Sequence, residues 1–273
     1  MDHVKDALKP VDRVEVTTLI DNYADALLES TDIVTRAQHH EGEVIPEDTL
    51  LAEHGLCLMV TVHENGGRHS IFFDAGYTKV GVLHNLDMLK LELKEIESLV
   101  VSHRHMDHTA GLYALLDRIA HPVDLVVHPE AFLHERYLRM KDGKIIRFPK
   151  ILSREKLAAY DVTIRESEAP LLVAGEGIAV TGRVERTTAF EKGMQNALVE
   201  KDGRMEQDPV ADDQALIIHL KGKGLVVISG CSHSGIINTV KYAGKITGIE
   251  KVHAVLGGFH LTGPAYEPII GDT

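Results

Sequence analysis

Four potential metal ligands stand within six consecutive residues of this chain, and they constrain its fold more than any other feature. The segment His103-Arg104-His105-Met106-Asp107-His108 directly follows residues 98–102, an apolar run typical of a strand covered on both faces. On an extended backbone residues 103, 105 and 107 share one face, and a turn into a helix brings His108 beside them. Imidazole and carboxylate groups suit Zn²⁺, iron or Mn²⁺. The segment therefore predicts a metal site at the edge of a sheet.

The remaining pattern predicts a layered α/β sandwich. A helix is indicated where Leu112, Leu115, Leu116 and Ile119 recur at helical spacing, and a second helix at residues 236–246. Residues 22–50, with the pair His39–His40, read as a long loop in which one helix is an open alternative. Residues 130–170 read as an inserted, mostly helical cap on one domain spanning residues 1–273. Strands are predicted at residues 14–21, 55–63, 69–74, 98–102, 123–128, 177–181, 215–220, 225–229 and 252–256.

Charge and cysteine usage narrow the functional class. The chain has 29 basic and 41 acidic residues, a net charge of −12, which argues against a nucleic-acid-binding protein. Cys57 and Cys231 cannot form a disulfide scaffold, so a reduced, cytoplasmic setting is expected. A secretory leader is not apparent, and no run of about 18 apolar residues predicts a membrane span. The expected partner is a small molecule, and the oligomeric state is left open.

The motif resembles that of the metallo-β-lactamase superfamily. His-x-His-x-Asp-His stands here as residues 103–108, and the preceding strand that ends in an acidic residue and glycine is matched by residues 73–76, with Asp74. The resemblance implies a four-layer αββα sandwich with a metal site at one edge, between the sheets. It also implies that His103 and His105 hold one metal ion while Asp107 and His108 hold a second.

Three further segments are similar to the subfamily that includes the methanopterin-pathway dihydropterin synthase: residues 53–60 (EHGLCLMV), 229–240 (SGCSHSGIINTV) and 257–261 (GGFHL). This chain departs from the family pattern in two places. Cys231 stands where many members carry a metal-bridging aspartate, so a thiolate ligates or bridges, or His233 takes over. The subfamily also usually continues to another histidine-containing segment, so either His260 completes the site or a ligand is missing.

Four residues outside the motif are candidates for the same site. His233 follows an apolar strand within a Gly-Cys-Ser-His-Ser-Gly turn, and we expect it to bind metal. His260 follows two glycines, which allow close backbone approach, and is expected to contact metal or substrate. Cys231 is either a ligand or a small buried residue. Asp74 is expected to orient a ligand histidine rather than to bind metal itself.

Basic residues provide candidate contacts to an anionic substrate. Residues 136–156 hold eight Lys or Arg and two acids, and residues 130–192 are proposed as the wall of the substrate pocket. Arg183, Arg186 and Lys192 either bind an anionic group or are solvated surface charges. The other histidines are assigned core or surface roles: His39, His40, His54, His63, His69, His84, His121, His128, His134, His219 and His253.

These observations favour a metal-dependent hydrolase with two metal ions, most simply zinc, with manganese or iron as the alternatives. A metal-bound hydroxide would attack a carbonyl or phosphoryl centre, with Asp107 orienting the nucleophile and His260 assisting. The subfamily resemblance implies a small anionic, phosphorylated or pterin-like substrate, including carbon–nitrogen bond formation with loss of diphosphate. The alternatives are an iron-dependent oxidoreductase on the same scaffold and a catalytically silent metal-binding protein.

Overall fold

The computed structural model describes residues 2–37, 42–133, 135–264 and 266–273, so His39, His40 and His134 lie outside the described residues. The α-helices within the described residues are α1 (Asp2–Ala7), α2 (Lys79–Met88), α3 (Met106–Thr109), α4 (Leu112–Ile119), α5 (Arg154–Leu157) and α6 (Ile236–Thr247), and short 3-10 helices occur at Pro129–Phe132, Ala174–Glu176 and Glu267–Asp272. The strands are β1 (Arg13–Ile20), β2 (Cys57–Glu64), β3 (Gly67–Phe73), β4 (Ile96–Val100), β5 (Val123–Val127), β6 (Glu135–Arg139), β7 (Ile145–Arg147), β8 (Val162–Glu166), β9 (Leu171–Val173), β10 (Ile178–Val180), β11 (Ala197–Lys201), β12 (Arg204–Gln207), β13 (Ala215–Leu220), β14 (Gly224–Ser229) and β15 (Val252–Gly257).

Two larger sheets face each other. The first has the order β1-β2-β3-β4-β5-β8, antiparallel from β1 to β3 and parallel beyond. The second has the order β15-β14-β13-β10-β9, in which only β14 and β15 run parallel. The β2–β3 hairpin turns at Asn65-Gly66, both at positive φ.

Successive side chains of the inner strands enter different layers of the sandwich. On β2, Leu58 and Val60 point into the core between the two sheets, while Met59 packs on the outer side beneath α2 and α4. This explains why the strand is apolar at nearly every position. On the outer side of the second sheet, Val227 of β14 packs against α1 and α6 in a third cluster. The layers are therefore α, β, β and α, which confirms the predicted fold class.

The expected helical cap is wrong in its secondary structure. Within residues 130–170 as described, α5 is a single turn, and β6 and β7 form a hairpin around Asp142-Gly143. β11 and β12 form another hairpin around Asp202-Gly203, and the four strands make a third sheet, β12-β11-β6-β7. β8 belongs to the first large sheet rather than to an insertion. An Asp-Gly pair is a hairpin signal, and here one pair stands between Lys141 and Lys144 and the other between Lys201 and Arg204.

Two further observations complete the fold. Residues 22–37 and 42–50, expected as a loop, contain no helix. None of the described helices has the length and apolarity needed to cross a membrane.

Candidate metal centre

The histidine motif spans the junction between β4 and α3. β4 ends at Val100, His103 and His105 lie in the connecting loop, and α3 begins at Met106 with His105 as its N-cap. The extended run expected to reach residue 107 therefore stops at His105. Because α3 turns the chain at once, Asp107 and His108 reach the cluster from a helix rather than from the same extended face.

Three imidazole rings meet at His103. Its Nε2 lies 3.0 Å from Nδ1 of His105 and 3.2 Å from Nε2 of His233. All three side chains are buried, at 1–6% exposure. Nε2 of His105 and Nδ1 of His233 are buried and have no hydrogen-bond partner among the described residues. Three ring nitrogens that approach one another this closely form the kind of arrangement that a shared cation requires.

Asp74 fixes the outward-facing nitrogens of two rings. Its Oδ1 accepts the backbone N–H of Ser102 at 2.6 Å, and its Oδ2 accepts the Ser102 hydroxyl at 2.7 Å. Oδ2 also lies 2.6 Å from Nδ1 of His108, and the Ser102 hydroxyl oxygen lies 2.9 Å from Nδ1 of His103. Each Nδ1 therefore carries the proton in the neutral ring, and each Nε2 lone pair points into the cluster. Asp74 thus contacts His108 directly and His103 through Ser102.

Two loops from the second sheet bring the remaining candidates. Sγ of Cys231 lies 3.1 Å from Nε2 of His108. The backbone N–H of Gly258 donates to Gly230 O at 2.7 Å, which holds the loop after β15 against the loop after β14. His260 is consequently placed with its ring centroid 5.0 Å from that of His233, although it remains exposed.

The described donors form three overlapping triads. Within each triad the potential ligand atoms lie within 4.8 Å of one another. The triads are His103–His105–His233, His103–His108–Cys231 and Cys231–His233–His260. Asp107 adds a carboxylate whose Oδ2 lies 3.4 Å from Nε2 of His108. Imidazoles, a thiol and a carboxylate form a donor set that fits zinc.

Burial keeps most of these rings neutral. It lowers the pKa of His105 to about 4, and it also lowers the pKa of His103 and His233 well below the ordinary value. Burial opposes protonation of His108 as well, but Cys231, Asp74 and Asp107 raise its pKa well above the ordinary value. Neutral imidazole is the form that binds metal, so His103, His105 and His233 are ready to act as ligands.

The basic candidates are not equivalent. Arg183, Arg186 and Lys192 are all exposed. Arg186 lies closer to the cluster, because a side chain at Gly193 would come within 2.8 Å of its guanidinium and 3.0 Å of the His233 carbonyl oxygen. Arg136, counted in the sequence as part of a substrate-steering patch, is 2% exposed and binds Asp208 and Asp212. Its charge is neutralised inside the protein, so it has no steering role.

His54, which the sequence analysis assigned a core or surface role, lies beside Asp107. Its Nε2 is 3.4 Å from Oδ2 of Asp107, and its Nδ1 is 3.2 Å from Oδ1 of Asn22. A side chain at Gly55 would come within 2.1 Å of the Asp107 carbonyl oxygen, so only glycine permits this approach. In the sequence, His54 stands within EHGLCLMV, one of the segments similar to the subfamily.

A cavity of about 230 Å³ adjoins the cluster. Asp107, His108 and Cys231 line it together with residues of β1, β2 and β15, and none of its lining residues comes from 130–192. A wider depression, lined by Arg68, Glu95 and others, lies at the opposite end of β4 from the cluster. Phe148, from residues 130–192, nevertheless stacks on the ring of His105 with the centroids 4.9 Å apart, so the expected pocket wall at residues 130–192 stays a prediction.

Comparison with known proteins places the chain in a family. A family model described as the metallo-beta-lactamase superfamily matches residues 50–185. A 7,8-dihydropterin-6-methyl-4-(beta-D-ribofuranosyl)-aminobenzene-5'-phosphate synthase of Methanocaldococcus jannaschii is 33% identical over 243 residues, which are 87% of this chain and 80% of that protein. An uncharacterized protein of the same organism is 32% identical over 212 residues, 78% of this chain and 74% of that one.

A solved structure of Tm1679, a metal-dependent hydrolase of the beta-lactamase superfamily, has the same fold. It superposes with a TM-score of 0.65 at 24% identity, covering 95% of this chain and 82% of that one. The sandwich, the motif at its edge and the similarity along most of the sequence agree, and the chain belongs to the metallo-β-lactamase superfamily.

Proposed function

We propose that this protein is a metal-dependent hydrolase with two zinc ions that acts on a small anionic, phosphorylated or pterin-like substrate. The observation that carries the proposal is the convergence of the His103, His105 and His233 nitrogens, with the Nδ1 atoms of His103 and His108 engaged by Ser102 and Asp74. Burial of the His103, His105 and His233 rings supports it, because burial lowers the pKa of all three and keeps them in the neutral form that binds metal.

The donors divide naturally between two ions. We assign His103, His105 and His233 to one, and Asp107, His108, Cys231 and His260 to the other. When bound, divalent ions lower the pKa of a coordinated water to about 7 and polarise a carbonyl or phosphoryl oxygen.

Other side chains of the protein would orient the ligand rings, the attacking water and the substrate. Asp74 holds the rings of His103, through Ser102, and of His108 in the ligating tautomer. Burial raises the pKa of Asp107, but contact with His108 lowers it by more, so Asp107 stays ionised and can accept a hydrogen bond from the attacking water. His260, exposed beside His233, is positioned to contact the substrate, and Arg186 can pair with its anionic group.

The metal assignment is tested by elemental analysis of protein purified without added metal. We expect two equivalents of zinc, and loss of both metal and hydrolysis of bis(p-nitrophenyl) phosphate or a pterin diphosphate ester in His103→Ala and His108→Ala. His253→Ala, an exposed histidine on β15, is the matched control and should retain both. Wild-type protein with one equivalent of iron and substrate-dependent oxygen uptake would contradict the hydrolase and favour the oxidoreductase.

A synthase activity is the second candidate, because the relative that is 33% identical is named a synthase. The product in that name joins a dihydropterin methyl group to a substituted aminobenzene. The same site would serve if an arylamine compound replaced water as the nucleophile. Product analysis with a pterin diphosphate ester, with and without an added arylamine, separates the two: hydrolysis gives the pterin alcohol, and transfer gives a joined product.

A further inference from the structure

The long loop between β1 and β2 exposes large apolar side chains. In residues 22–50, which we call the acidic loop, Leu27, Ile33 and Ile45 are 91%, 88% and 80% exposed. Single apolar residues are ordinary at a surface, but several such residues in one segment favour a face that another molecule covers. The loop also contains seven Asp or Glu and one Arg. A surface that matches it must therefore be both apolar and basic.

A second segment of the same chain has those two properties. Residues 139–150, which we call the basic hairpin, contain five Lys or Arg and one Asp. Met140, Ile145 and Ile146 of this segment are 40–45% exposed. β7 lies at the edge of the third sheet, and all three of its residues are exposed, on both faces of the strand. An edge strand with apolar side chains is a typical site of contact with another chain.

Both segments border the candidate metal centre. Phe148 of the basic hairpin stacks on His105, with the ring centroids 4.9 Å apart. The acidic loop begins at Asn22, whose Oδ1 lies 3.2 Å from Nδ1 of His54. The two surfaces therefore reach the same edge of the sandwich. A two-fold dimer needs this arrangement, because each copy must present both surfaces to the other at once.

We propose that a second copy of this chain occupies these surfaces, in a two-fold dimer in which the acidic loop of each copy docks on the basic hairpin of the other. The loop has a net charge of −6 from seven acids and one base, and the hairpin has +4 from five bases and one acid. Two chains of net charge −12 would otherwise repel each other, so local complementarity has to bring them together. The apolar side chains then exclude water from the contact.

The charge pattern favours a second copy over a polyanionic partner. A nucleic acid or an anionic membrane would be attracted by the basic hairpin but repelled by the acidic loop at the same edge. A second copy satisfies both surfaces. In the dimer, the loop of one copy would lie next to Phe148 of the other, at the entrance to its candidate metal centre.

The first test is sedimentation velocity of the full chain at protein concentrations up to about 100 μM. Wild type should sediment with twice the 30.1 kDa mass of one chain. A hairpin variant that combines Lys141→Glu, Lys144→Glu and Lys150→Glu gives the hairpin a net charge of about −2, like that of the loop. It should raise the dissociation constant of the dimer roughly 100-fold or more.

A matched control makes the same charge change away from the two surfaces. It combines Lys223→Glu, Lys241→Glu and Lys251→Glu, at three exposed lysines of the second sheet and its helix layer. Its net charge equals that of the hairpin variant, so a general increase in repulsion affects both proteins alike. We expect the control to remain a dimer.

Mixing complementary variants identifies which surfaces meet. A loop variant reverses four exposed carboxylates: Glu29→Lys, Asp32→Lys, Glu43→Lys and Glu47→Lys. Its loop becomes positive, so its own copies should repel each other and stay monomeric. When the loop variant is mixed with the hairpin variant, every loop meets a hairpin of opposite charge. We expect the mixture to form dimers that contain one copy of each, which also shows that both variants are folded.

Other outcomes would overturn the proposal. Wild type that stays monomeric at the highest concentration would leave these surfaces to another partner, and a dimer that both variants keep would use a different face. A mixture that remains monomeric would reject the pairing of loop with hairpin. A mass that keeps rising with concentration would indicate an open head-to-tail chain instead of a closed dimer. These measurements require neither bound metal nor turnover, so they are independent of the proposed function.

Discussion

The backbone N–H of Arg104 donates to Oδ2 of Asp212 across 3.0 Å, which fixes the peptide between His103 and His105. The same carboxylate receives the guanidinium of Arg136, which reaches it from β6 of the third sheet. Asp212 and Arg136 are both buried, at 0% and 2% exposure. One carboxylate therefore joins the third sheet to the loop that carries two candidate ligands.

Neutralising that carboxylate should be costly. Asp212→Asn leaves Arg136 buried with only Asp208 as a charged partner, and we expect a loss of about 3–5 kcal/mol in the free energy of unfolding. Urea unfolding measures the loss. Asp87→Asn is the matched control, because Asp87 forms an exposed ion pair with Arg118 and should lose less than about 1 kcal/mol. Similar losses in the two variants would show that Asp212 is not a structural anchor.

Asp74→Asn should weaken metal binding while keeping the backbone. Asp74 has φ of 62°, a conformation that Asn tolerates and Ala does not, so Asn isolates the loss of charge. Since Asp74 holds His108 directly and His103 through Ser102, we expect a 10- to 100-fold lower affinity for zinc in chelator competition.

Ser102→Ala provides a graded comparison for Asp74. It removes the hydroxyl that joins Asp74 to Nδ1 of His103 but leaves the contact between Asp74 and His108. We expect the affinity of Ser102→Ala for zinc to lie between that of wild type and that of Asp74→Asn. A variant at Asp74 that binds zinc as tightly as wild type would rule out an orienting role.

The layers and the ligand segment could be predicted because each depends on local pattern. Apolar runs such as residues 98–102 mark strands covered on both faces, and residues 103–108 place four donors next to one of them. His233 and His260 could be proposed from their position after apolar strands, and the structure places both beside the motif.

What the sequence could not supply depends on long-range packing. His54 reaches Asp107 only because Gly55 allows two loops to touch, a contact between residues far apart in the chain. Arg136 looked like a surface charge because its partners, Asp208 and Asp212, lie more than 70 residues away. Residues 130–170 were expected to be mostly helical because they are densely charged. The Asp142-Gly143 pair, however, indicates a turn between two strands.

Cys231→Ser should change metal preference more than overall fold. A thiolate is a softer ligand than a hydroxyl and favours zinc over manganese, and Sγ of Cys231 lies against Nε2 of His108. After loading in an equimolar mixture of both ions, we expect the variant to hold a smaller ratio of zinc to manganese than wild type. Cys57→Ser, a change at a buried cysteine in β2, serves as the control for thiol loss elsewhere. An unchanged ratio in Cys231→Ser would exclude the thiol from the site.

Asp213 should make the metal-free protein less stable as pH rises. Burial raises the pKa of its carboxyl to about 6, although the backbone N–H of Ser234 donates to Oδ2 and opposes the rise. Between the ordinary value of 3.8 and about 6, the folded chain keeps a proton that the unfolded chain has released. The folded state therefore loses stability through that range, by about 3 kcal/mol when the carboxylate is fully ionised.

Asp213→Asn removes this titration while an amide oxygen can still accept the N–H of Ser234. In protein treated with a chelator, the free energy of unfolding of the variant relative to wild type should rise by about 1.5 kcal/mol between pH 5 and pH 8. The comparison cancels the buried histidines, which act with the opposite sign because their lowered pKa values destabilise the folded chain as pH falls. Asp161→Asn, at an exposed carboxylate, should show no such pH dependence. A difference between Asp213→Asn and wild type that stays constant with pH would show that Asp213 is already ionised at pH 5 in the folded protein.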